Sequence, residues 1–162
     1  MEIRQITDPE KKAKICETIL RALPDWFGVE SSLMEYVAGV GDKPFFAAFD
    51  GNPKSDEAIG FAAIKRHSFY TAEVYVMGVL APYHRQGIGR ALIAECEGYW
   101  RDQDGEFLTV KTVDESGGYE EYHRTLKFYL AMGFRPLEVF PTLWDKCNPC
   151  LMLGKYISQG TD

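Results

Sequence analysis

Residues 79–93, VLAPYHRQGIGRALI, join the end of an apolar segment to helix-forming residues through a basic turn with two glycines. The start of a helix leaves backbone N–H groups without intrahelical partners. Glycine lets a phosphate approach the backbone, successive N–H groups form an anion nest, and the helix dipole strengthens the attraction. Arg85 and Arg90 can add side-chain charge. The spacing predicts phosphate binding, and it fits a glycine-rich turn with solvated arginines equally well.

Two common nucleotide-binding motifs do not match this stretch. The dinucleotide fingerprint G-x-G-x-x-G requires a third glycine, but after Gly87 and Gly89 that place is taken by Leu92. The P-loop string G-x-x-x-x-G-K-[ST] does not occur in the sequence. The remaining interpretation is a strand end, a basic turn and G-x-G in the first turn of a helix, where the amides of residues 86–90 face the anion.

The cysteines and histidines do not predict a metal site. Cys147 and Cys150 have a spacing found in redox motifs and in half of a zinc site. A zinc site needs two further ligands, and no second close pair of such residues exists. The Asn-Pro between these cysteines indicates a turn before a strand rather than the start of a helix. We therefore expect no metal and no redox chemistry.

Composition limits the class of protein. The chain has 162 residues, a net charge of −6 and 46% hydrophobic residues, which predicts a single globular domain over residues 1–162. The eighteen Lys and Arg do not require a basic face, so we expect no nucleic-acid partner. The N-terminus has no apolar leader segment and no long apolar run follows, which predicts a cytoplasmic protein without a membrane partner.

The elements that position the glycine motif alternate between strands and helices. Apolar periodicity and turn residues predict the order β-α-α-β-β-β-α-β-α-β-β. This mixture of hairpins and helical crossovers predicts an α/β fold, with a mixed central sheet of about seven strands flanked by about four helices. The predicted strands lie at 1–6, 44–50, 58–66, 72–80, 107–113, 134–143 and 151–157, and the predicted helices at 9–23, 31–40, 87–102 and 119–132.

The glycine motif resembles that of the GNAT superfamily, whose members are N-acetyltransferases that use acetyl-CoA. The family pattern is Gln/Arg-x-x-Gly-x-Gly/Ala after the fourth strand, and here the last two conserved places match at Gly87 and Gly89. The first place departs from the pattern, since it holds His84. The resemblance implies that this loop holds the pyrophosphate of coenzyme A with the residues Arg85, Gln86, Gly87, Ile88, Gly89 and Arg90.

A second segment, RTLKFYLAMGF (124–134), resembles the F-Y-x-x-x-G-F helix of the same family through Phe128, Tyr129, Gly133 and Phe134. The family often has Asn six residues before the Phe, and this chain has Tyr122 there. Both motifs occur in the family's order, so the resemblance implies a GNAT-like fold with acetyl-CoA as cofactor. It also implies cofactor contacts at Tyr122 and Phe128 and at the end of the fourth strand, Val79 and Leu80.

Acetyl transfer to an amine requires a neutral amine, a stabilised oxyanion and a protonated leaving thiolate. Since a primary alkyl amine titrates near pH 10 in water, a carboxylate or a water chain that accepts its proton helps the reaction. Glu73 lies on the strand before the glycine motif, and the resemblance implies that it is the general base, directly or through water. The alternative is that Glu73 only begins the strand at the solvent edge.

Tyr129 is the second catalytic candidate. The resemblance implies that its hydroxyl protonates the coenzyme A thiolate, whose pKa as a thiol is about 8.5. The alternative is an aromatic residue on the core-facing stripe of the helix, beside Leu126 and Leu130.

The acceptor side is predicted less directly. In the family it is lined by the early helices and by the connection between the last strands, which here contain Trp26 and Trp144, each beside an Asp. Aromatic faces and carboxylates suit a cationic amine, although tryptophans also fill core gaps and aspartates also cap turns.

We therefore predict an N-acetyltransferase that moves an acetyl group from acetyl-CoA to a primary amine of a small molecule or a peptide, by direct attack on the thioester. The alternative is a non-catalytic acyl-CoA-binding module with the same fold. The resemblance leaves a homodimer open, since homodimers are common in the family.

Overall fold

The computed structural model describes residues 1–157, and the order of its elements is the predicted one. Two short 3₁₀ turns, Ala81–Tyr83 and Glu115–Gly117, are additional. In chain order the elements are β1 (Glu2–Ile6), α1 (Pro9–Arg21), α2 (Glu30–Gly39), β2 (Phe45–Phe49), β3 (Gly60–Arg66), β4 (Thr71–Val79), α3 (Ile88–Asp102), β5 (Phe107–Val113), α4 (Glu120–Ala131), β6 (Arg135–Asp145) and β7 (Asn148–Tyr156).

The strands form one seven-stranded sheet in the order β1-β2-β3-β4-β5-β7-β6. β4 and β5 pair in parallel, whereas β1 with β2, β2 with β3, β5 with β7 and β6 with β7 pair antiparallel. A parallel pair needs a crossover, and α3 supplies it between β4 and β5. The predicted mixed α/β fold with seven strands and four helices is confirmed for the described residues.

Contacts group the chain into two compact units, which we describe separately. The first unit comprises Met1–Lys65 and Tyr75–Tyr99, and the second comprises Arg66–Val74 and the chain from Trp100 onward. That residues 1–162 form one domain stays a prediction.

The first unit contains α1, α2 and the first three strands. α1 begins at Pro9 because the Asp8 side chain accepts a hydrogen bond from the Lys11 N–H at 3.2 Å, and proline tolerates the first turn, where its missing N–H is not needed. Every residue of β2 is buried, as its continuous apolar sequence predicts. The Phe45 and Phe61 rings stack with centroids 5.2 Å apart in the core of this unit.

The second unit contains the start of β4 with β5, α4, β6 and β7. Trp100 is buried, and its Nε1 donates a hydrogen bond to the Phe107 carbonyl at 3.0 Å, which satisfies the only polar atom of the indole ring. The register places Glu73 beside Thr109 of β5, and Thr109 beside Gly154 of β7.

The connection between β6 and β7 differs from the prediction. Asn148 and Pro149, predicted as a turn, already belong to β7, and the turn consists of Lys146 and Cys147. Asp145 causes this earlier turn, since its Oδ1 accepts hydrogen bonds from the N–H groups of Cys147 and Asn148, both at 2.9 Å. The result is a long, tight hairpin. No helix within residues 1–157 is long and apolar enough to cross a membrane.

Candidate active site

The end of β4 is held from two sides in the first unit. The Leu80 N–H donates to the Ile59 carbonyl at 2.9 Å, next to β3. The Val79 carbonyl accepts a hydrogen bond from His84 Nε2 at 2.6 Å. The His84 ring also meets the Trp26 ring edge-on, with centroids 5.7 Å apart. His84, the residue that departs from the family pattern, therefore braces the strand end and the loop that follows it.

The loop before α3 has two residues with positive φ. Arg85 has φ +63° and Gly87 has φ +81°, so two residues separated by one have left-handed conformations. A Cβ built on Gly87 meets no atom within 4 Å, so the space in front of the backbone is open. α3 starts directly after this loop, where the Ala91 N–H donates to the Gly87 carbonyl at 3.0 Å. The free helix-start amides and the helix dipole favour an anion at this point.

Side chains of the loop have different roles from its backbone. Ile88 is buried and anchors the helix start, whereas Arg85, Gln86 and Arg90 are exposed. Gln86 Nε2 donates to the Pro82 carbonyl at 3.1 Å, which braces the loop internally. Arg85 is the notable residue, because a non-glycine residue in the left-handed region costs roughly 1–2 kcal/mol. Such strain concentrates at functional sites.

Glu73 is a buried carboxylate in the second unit, with only 6% of its surface exposed. Its Oε1 lies 2.6 Å from His67 Nε2 and 3.3 Å from Lys111 Nζ. The parallel register explains the second contact, because Glu73 pairs with Thr109 and Lys111 follows two residues later on the same face of β5. A buried charge needs such partners, and both are cations or hydrogen-bond donors. Glu73 is therefore an interior charged group rather than a residue at the solvent edge.

Cys150 lies near this cluster and is chemically quiet. Burial raises the pKa of its thiol to about 11, with Lys111 lowering it and Glu73 raising it. Cys147 is exposed in the hairpin turn, and both thiols are free. Within residues 1–157 no group of three or more His, Cys, Asp or Glu side chains is arranged to hold a metal ion.

Tyr129 lies on α4 with 6% of its surface exposed. Its ring meets those of Phe128 and Phe134, with centroids 5.3 and 5.7 Å away. α4 ends in a Schellman motif: the Phe134 N–H donates to the Tyr129 carbonyl and the Gly133 N–H to the Leu130 carbonyl, both at 3.1 Å. Gly133 has φ +96°, the conformation this ending requires. The ending of the helix thus explains the Gly and the second Phe of the F-Y-x-x-x-G-F motif. It uses the backbone of Tyr129, so it does not explain the tyrosine hydroxyl.

The remaining predicted site residues occupy different places. Tyr122 and Phe128 are half-buried on α4, and burial raises the pKa of the Tyr122 hydroxyl to about 12. Trp26 is half-buried against the core of the first unit. Trp144 belongs to β6 of the second unit and is 42% exposed, so it does not fill a core gap there.

The structure brings together two groups that the sequence did not predict. One is Val79, His84 and Trp26, and the other is Glu73, His67 and Lys111. His67 and Lys111 were missed as site residues. For His67 the sequence held one signal, since it lies six residues before Glu73 across a short turn. For Lys111 it held none, because its contact depends on the register between two strands.

Several solved structures with a similar fold are named as acetyltransferases. An aminoglycoside 6'-N-acetyltransferase complexed with coenzyme A is 18% identical, with a TM-score of 0.75 and coverage of 100% of each chain. The aminoglycoside 6'-N-acetyltransferase from Enterococcus faecium is 17% identical, with a TM-score of 0.74 and coverage of 100% of each chain. The ribosomal-protein-S18-alanine N-acetyltransferase from Escherichia coli is 16% identical, with a TM-score of 0.72 and coverage of 99% of this chain and 96% of the other. These three likenesses show that the chain shares the fold of these proteins.

The sequence shows the family to which the chain belongs. The family model described as acetyltransferase (GNAT) domain matches residues 41–136. The chain belongs to the GNAT acetyltransferase family, and the cofactor of this family is acetyl-CoA. The turn at Arg85 and Gly87, the helix start that follows it and the open space in front of Gly87 fit a pyrophosphate. A search of curated proteins by sequence finds no match.

Proposed function

We propose that the protein transfers an acetyl group from acetyl-CoA to a primary amine by direct attack of the amine on the thioester. The observation that carries the enzymatic proposal is the buried Glu73 with its two hydrogen-bonded partners, His67 and Lys111. A module that only binds acyl-CoA has no need for this buried charged cluster, because apolar residues in place of a buried ion pair often leave stability unchanged or increase it.

Cofactor binding is assigned to the loop before α3 and to the end of β4. Bound acetyl-CoA supplies the activated acetyl thioester. The backbone amides of residues 86–90 hold the pyrophosphate, and the open space beside Gly87 admits it. Because successive N–H groups of an extended chain point to opposite sides, the Val79 N–H points away from β3, whereas the Leu80 N–H is engaged by Ile59. Val79 is therefore the residue we assign to the pantetheine arm or the oxyanion. Tyr122 and Phe128 stay proposed contacts.

The acceptor amine must lose a proton before or while it attacks. We assign proton acceptance to the cluster around Glu73, which combines a carboxylate with a partly exposed imidazole. General base catalysis by such a group typically contributes a factor of about 10²–10⁴. The ordinary pKa of an alkyl amine near 10 makes this assistance important at neutral pH.

The leaving sulfur must gain a proton. Tyr129 is the proposed donor, and its position in a Schellman-terminated helix beside Phe128 and Phe134 keeps its ring in one orientation. The ordinary pKa of a tyrosine hydroxyl is higher than that of a thiol, so a free thiolate does not readily take its proton. The transfer is therefore expected to accompany the breaking of the carbon–sulfur bond.

Direct attack is favoured over an acetyl-cysteine route. Cys150 is the cysteine nearest the Glu73 cluster, and its pKa of about 11 keeps the thiol protonated near neutral pH. The thiolate is the nucleophilic form of cysteine, so Cys150 is a poor nucleophile.

The acceptor stays a primary amine of a small molecule or a peptide. The relatives named above include enzymes named for aminoglycosides and for a ribosomal-protein alanine, so the fold serves both kinds of acceptor. Trp26 and Trp144 are proposed as acceptor contacts. A homodimer and a cytoplasmic location also stay predictions.

A thiol-release screen tests the proposal. Purified protein is incubated with acetyl-CoA and with separate panels of aminoglycosides, polyamines, amino acids and peptides, and free thiol is measured over time. We expect at least one amine to accelerate thiol release. Binding of coenzyme A without acceleration by any panel would favour the acyl-CoA-binding module.

A further inference from the structure

The Glu73 carboxylate is poorly placed to meet a substrate itself. Only 6% of Glu73 is exposed, and its Oε1 is already 2.6 Å from His67 Nε2 and 3.3 Å from Lys111 Nζ. In contrast, the His67 side chain is 37% exposed. The group in this cluster that reaches solvent and can accept a proton is therefore the imidazole, since Lys111 has only donors while charged.

The hydrogen bonds determine which nitrogen of His67 carries the proton. Lys111 Nζ donates to Oε1 of Glu73, which favours the ionised carboxylate. An ionised carboxylate only accepts hydrogen bonds, so the 2.6 Å contact requires a proton on His67 Nε2. In the neutral imidazole the other nitrogen, Nδ1, then has the free electron pair.

The backbone holds His67 in place at the start of the short turn between β3 and β4. The N–H groups of His67 and Ser68 both donate to the Thr71 carbonyl, at 2.9 and 3.1 Å. Ser68 Oγ accepts from the N–H groups of Tyr70 and Thr71, both at 3.1 Å. A ring that is fixed at its backbone and at Nε2 presents Nδ1 in one direction.

We propose that His67 is the proton-accepting residue of acetyl transfer, with Nδ1 as the accepting atom and Glu73 as the positioning carboxylate that fixes its tautomer and stabilises the imidazolium. This inference rests on the proposed function. The acceptor ammonium gives its first proton to Nδ1, and the neutral amine then bonds to the acetyl carbon as the carbon–sulfur bond breaks. Tyr129 protonates the sulfur, and the nitrogen loses its second proton to water to leave the amide. His67 then releases its proton to water and Tyr129 regains one.

Charged groups on each neighbouring element act on His67. Oε1 of Glu73, on β4, lies 2.6 Å from His67 Nε2, and Nζ of Lys111, on β5, donates to the same oxygen at 3.3 Å. Cys150 of β7 stays neutral near pH 7, because burial raises its pKa to about 11. Arg66 of β3 is directed elsewhere, since its guanidinium lies over the Phe69 and Trp100 rings. We expect the rate to fall on acidification, because a protonated Nδ1 cannot accept the proton of the amine.

The chain offers a matched control for the key substitution. His123 Nδ1 lies 3.2 Å from Glu115 Oε1, and both side chains are largely exposed. Hence His123→Gln removes a histidine–carboxylate pair that has no place in the proposed machinery. His67→Gln alters a partly exposed side chain, so we expect it to fold, and circular dichroism with urea denaturation checks this.

The kinetic experiment measures kcat/KM against pH for wild type and for His67→Gln, His123→Gln and Glu73→Gln, with an amine found by thiol release. We expect His67→Gln to lower kcat/KM by about 10²-fold or more at neutral pH and to remove the acid limb. His123→Gln should match wild type, and Glu73→Gln should lower kcat/KM but keep an acid limb, since His67 is still present. If His67→Gln keeps the wild-type profile and rate, the proposal is overturned.

A second experiment does not depend on catalysis. Nitrogen-15 NMR of labelled protein reports which ring nitrogen of His67 is protonated, and His67→Gln identifies the signal among three histidines. We expect the Nε2-protonated tautomer in wild type. An Nδ1-protonated ring in wild type overturns the proposal whether or not any amine is acetylated. If the tautomer is as expected but no amine is acetylated, the proposed function fails and the base role falls with it.

Discussion

Replacing Gly87 with alanine separates the folding cost of the loop from its proposed role in cofactor binding. Gly87 has φ +81°, and a Cβ built on it meets no protein atom within 4 Å. The substitution therefore adds no clash inside the protein, and its cost is the strain of an L-residue in the left-handed region, roughly 1–2 kcal/mol. Urea denaturation measures this loss as a lower midpoint at an unchanged slope.

The added methyl group also stands in front of the amides that we assign to the pyrophosphate. Loss of one hydrogen bond to a charged group costs roughly 1.5–3 kcal/mol, which corresponds to about a 10- to 150-fold weaker Kd for coenzyme A. Isothermal titration calorimetry at fixed ionic strength measures this Kd for each variant.

Two other glycines provide controls. Gly51, in the connection between β2 and β3, has φ +91°, so Gly51→Ala carries comparable backbone strain and should leave the Kd unchanged. Gly98 lies inside α3 with nothing within 4 Å of a built Cβ, so Gly98→Ala should increase stability by roughly 0.5–1 kcal/mol. If Gly87→Ala loses stability as expected and binds coenzyme A as tightly as wild type, the loop amides do not hold the pyrophosphate.

Three further predictions concern single side chains. Tyr129→Phe should bind coenzyme A normally by calorimetry and lower kcat by about 10²-fold in the thiol-release assay; a wild-type kcat would remove Tyr129 from the mechanism. In the native protein a maleimide should label Cys147 rapidly, because it is the exposed cysteine, and mass spectrometry that finds Cys16, Cys96 or Cys150 labelled first would contradict the structure. The folded pKa of Cys150, about 11, exceeds the ordinary value of 9.0, so its contribution to stability is complete below pH 9 and is lost as the pH rises towards 11. The free energy of unfolding should fall by up to about 1.4 kcal/mol per pH unit for each such thiol, and Cys150→Ala should reduce that slope; an identical slope would show that Cys150 is not buried as described.

Local sequence signals predicted the elements because each had a clear physical cause. The continuous apolar run at Phe45–Phe49 became a fully buried strand, Asp8 capped α1, and Gly133 ended α4 in a left-handed conformation. The turn before β7 was predicted wrongly, because proline at residue 149 suggested a loop. The carboxylate of Asp145 instead forms the turn two residues earlier, and Pro149 is tolerated in the strand.

The candidate site was only partly accessible from the sequence. Glu73 and Tyr129 were found through the family resemblance, but their surroundings depend on pairing between distant segments. Lys111 reaches Glu73 because β4 and β5 pair in parallel with Glu73 opposite Thr109, and no local pattern determines that register. His84 is similar: its hydrogen bond to the Val79 carbonyl follows from the fold of a short turn, not from the spacing of the glycine motif.

The central claim is that the protein acetylates an amine and that the Glu73 cluster removes the amine's proton. The most direct test is to compare wild type with Glu73→Gln at neutral pH by thiol release from acetyl-CoA, with mass spectrometry of the amine to confirm one added acetyl group. We predict amine-dependent acetylation by wild type and a rate at least about tenfold lower for Glu73→Gln, with unchanged coenzyme A affinity. Equal rates for the two proteins, or thiol release without an acetylated amine, would contradict the account.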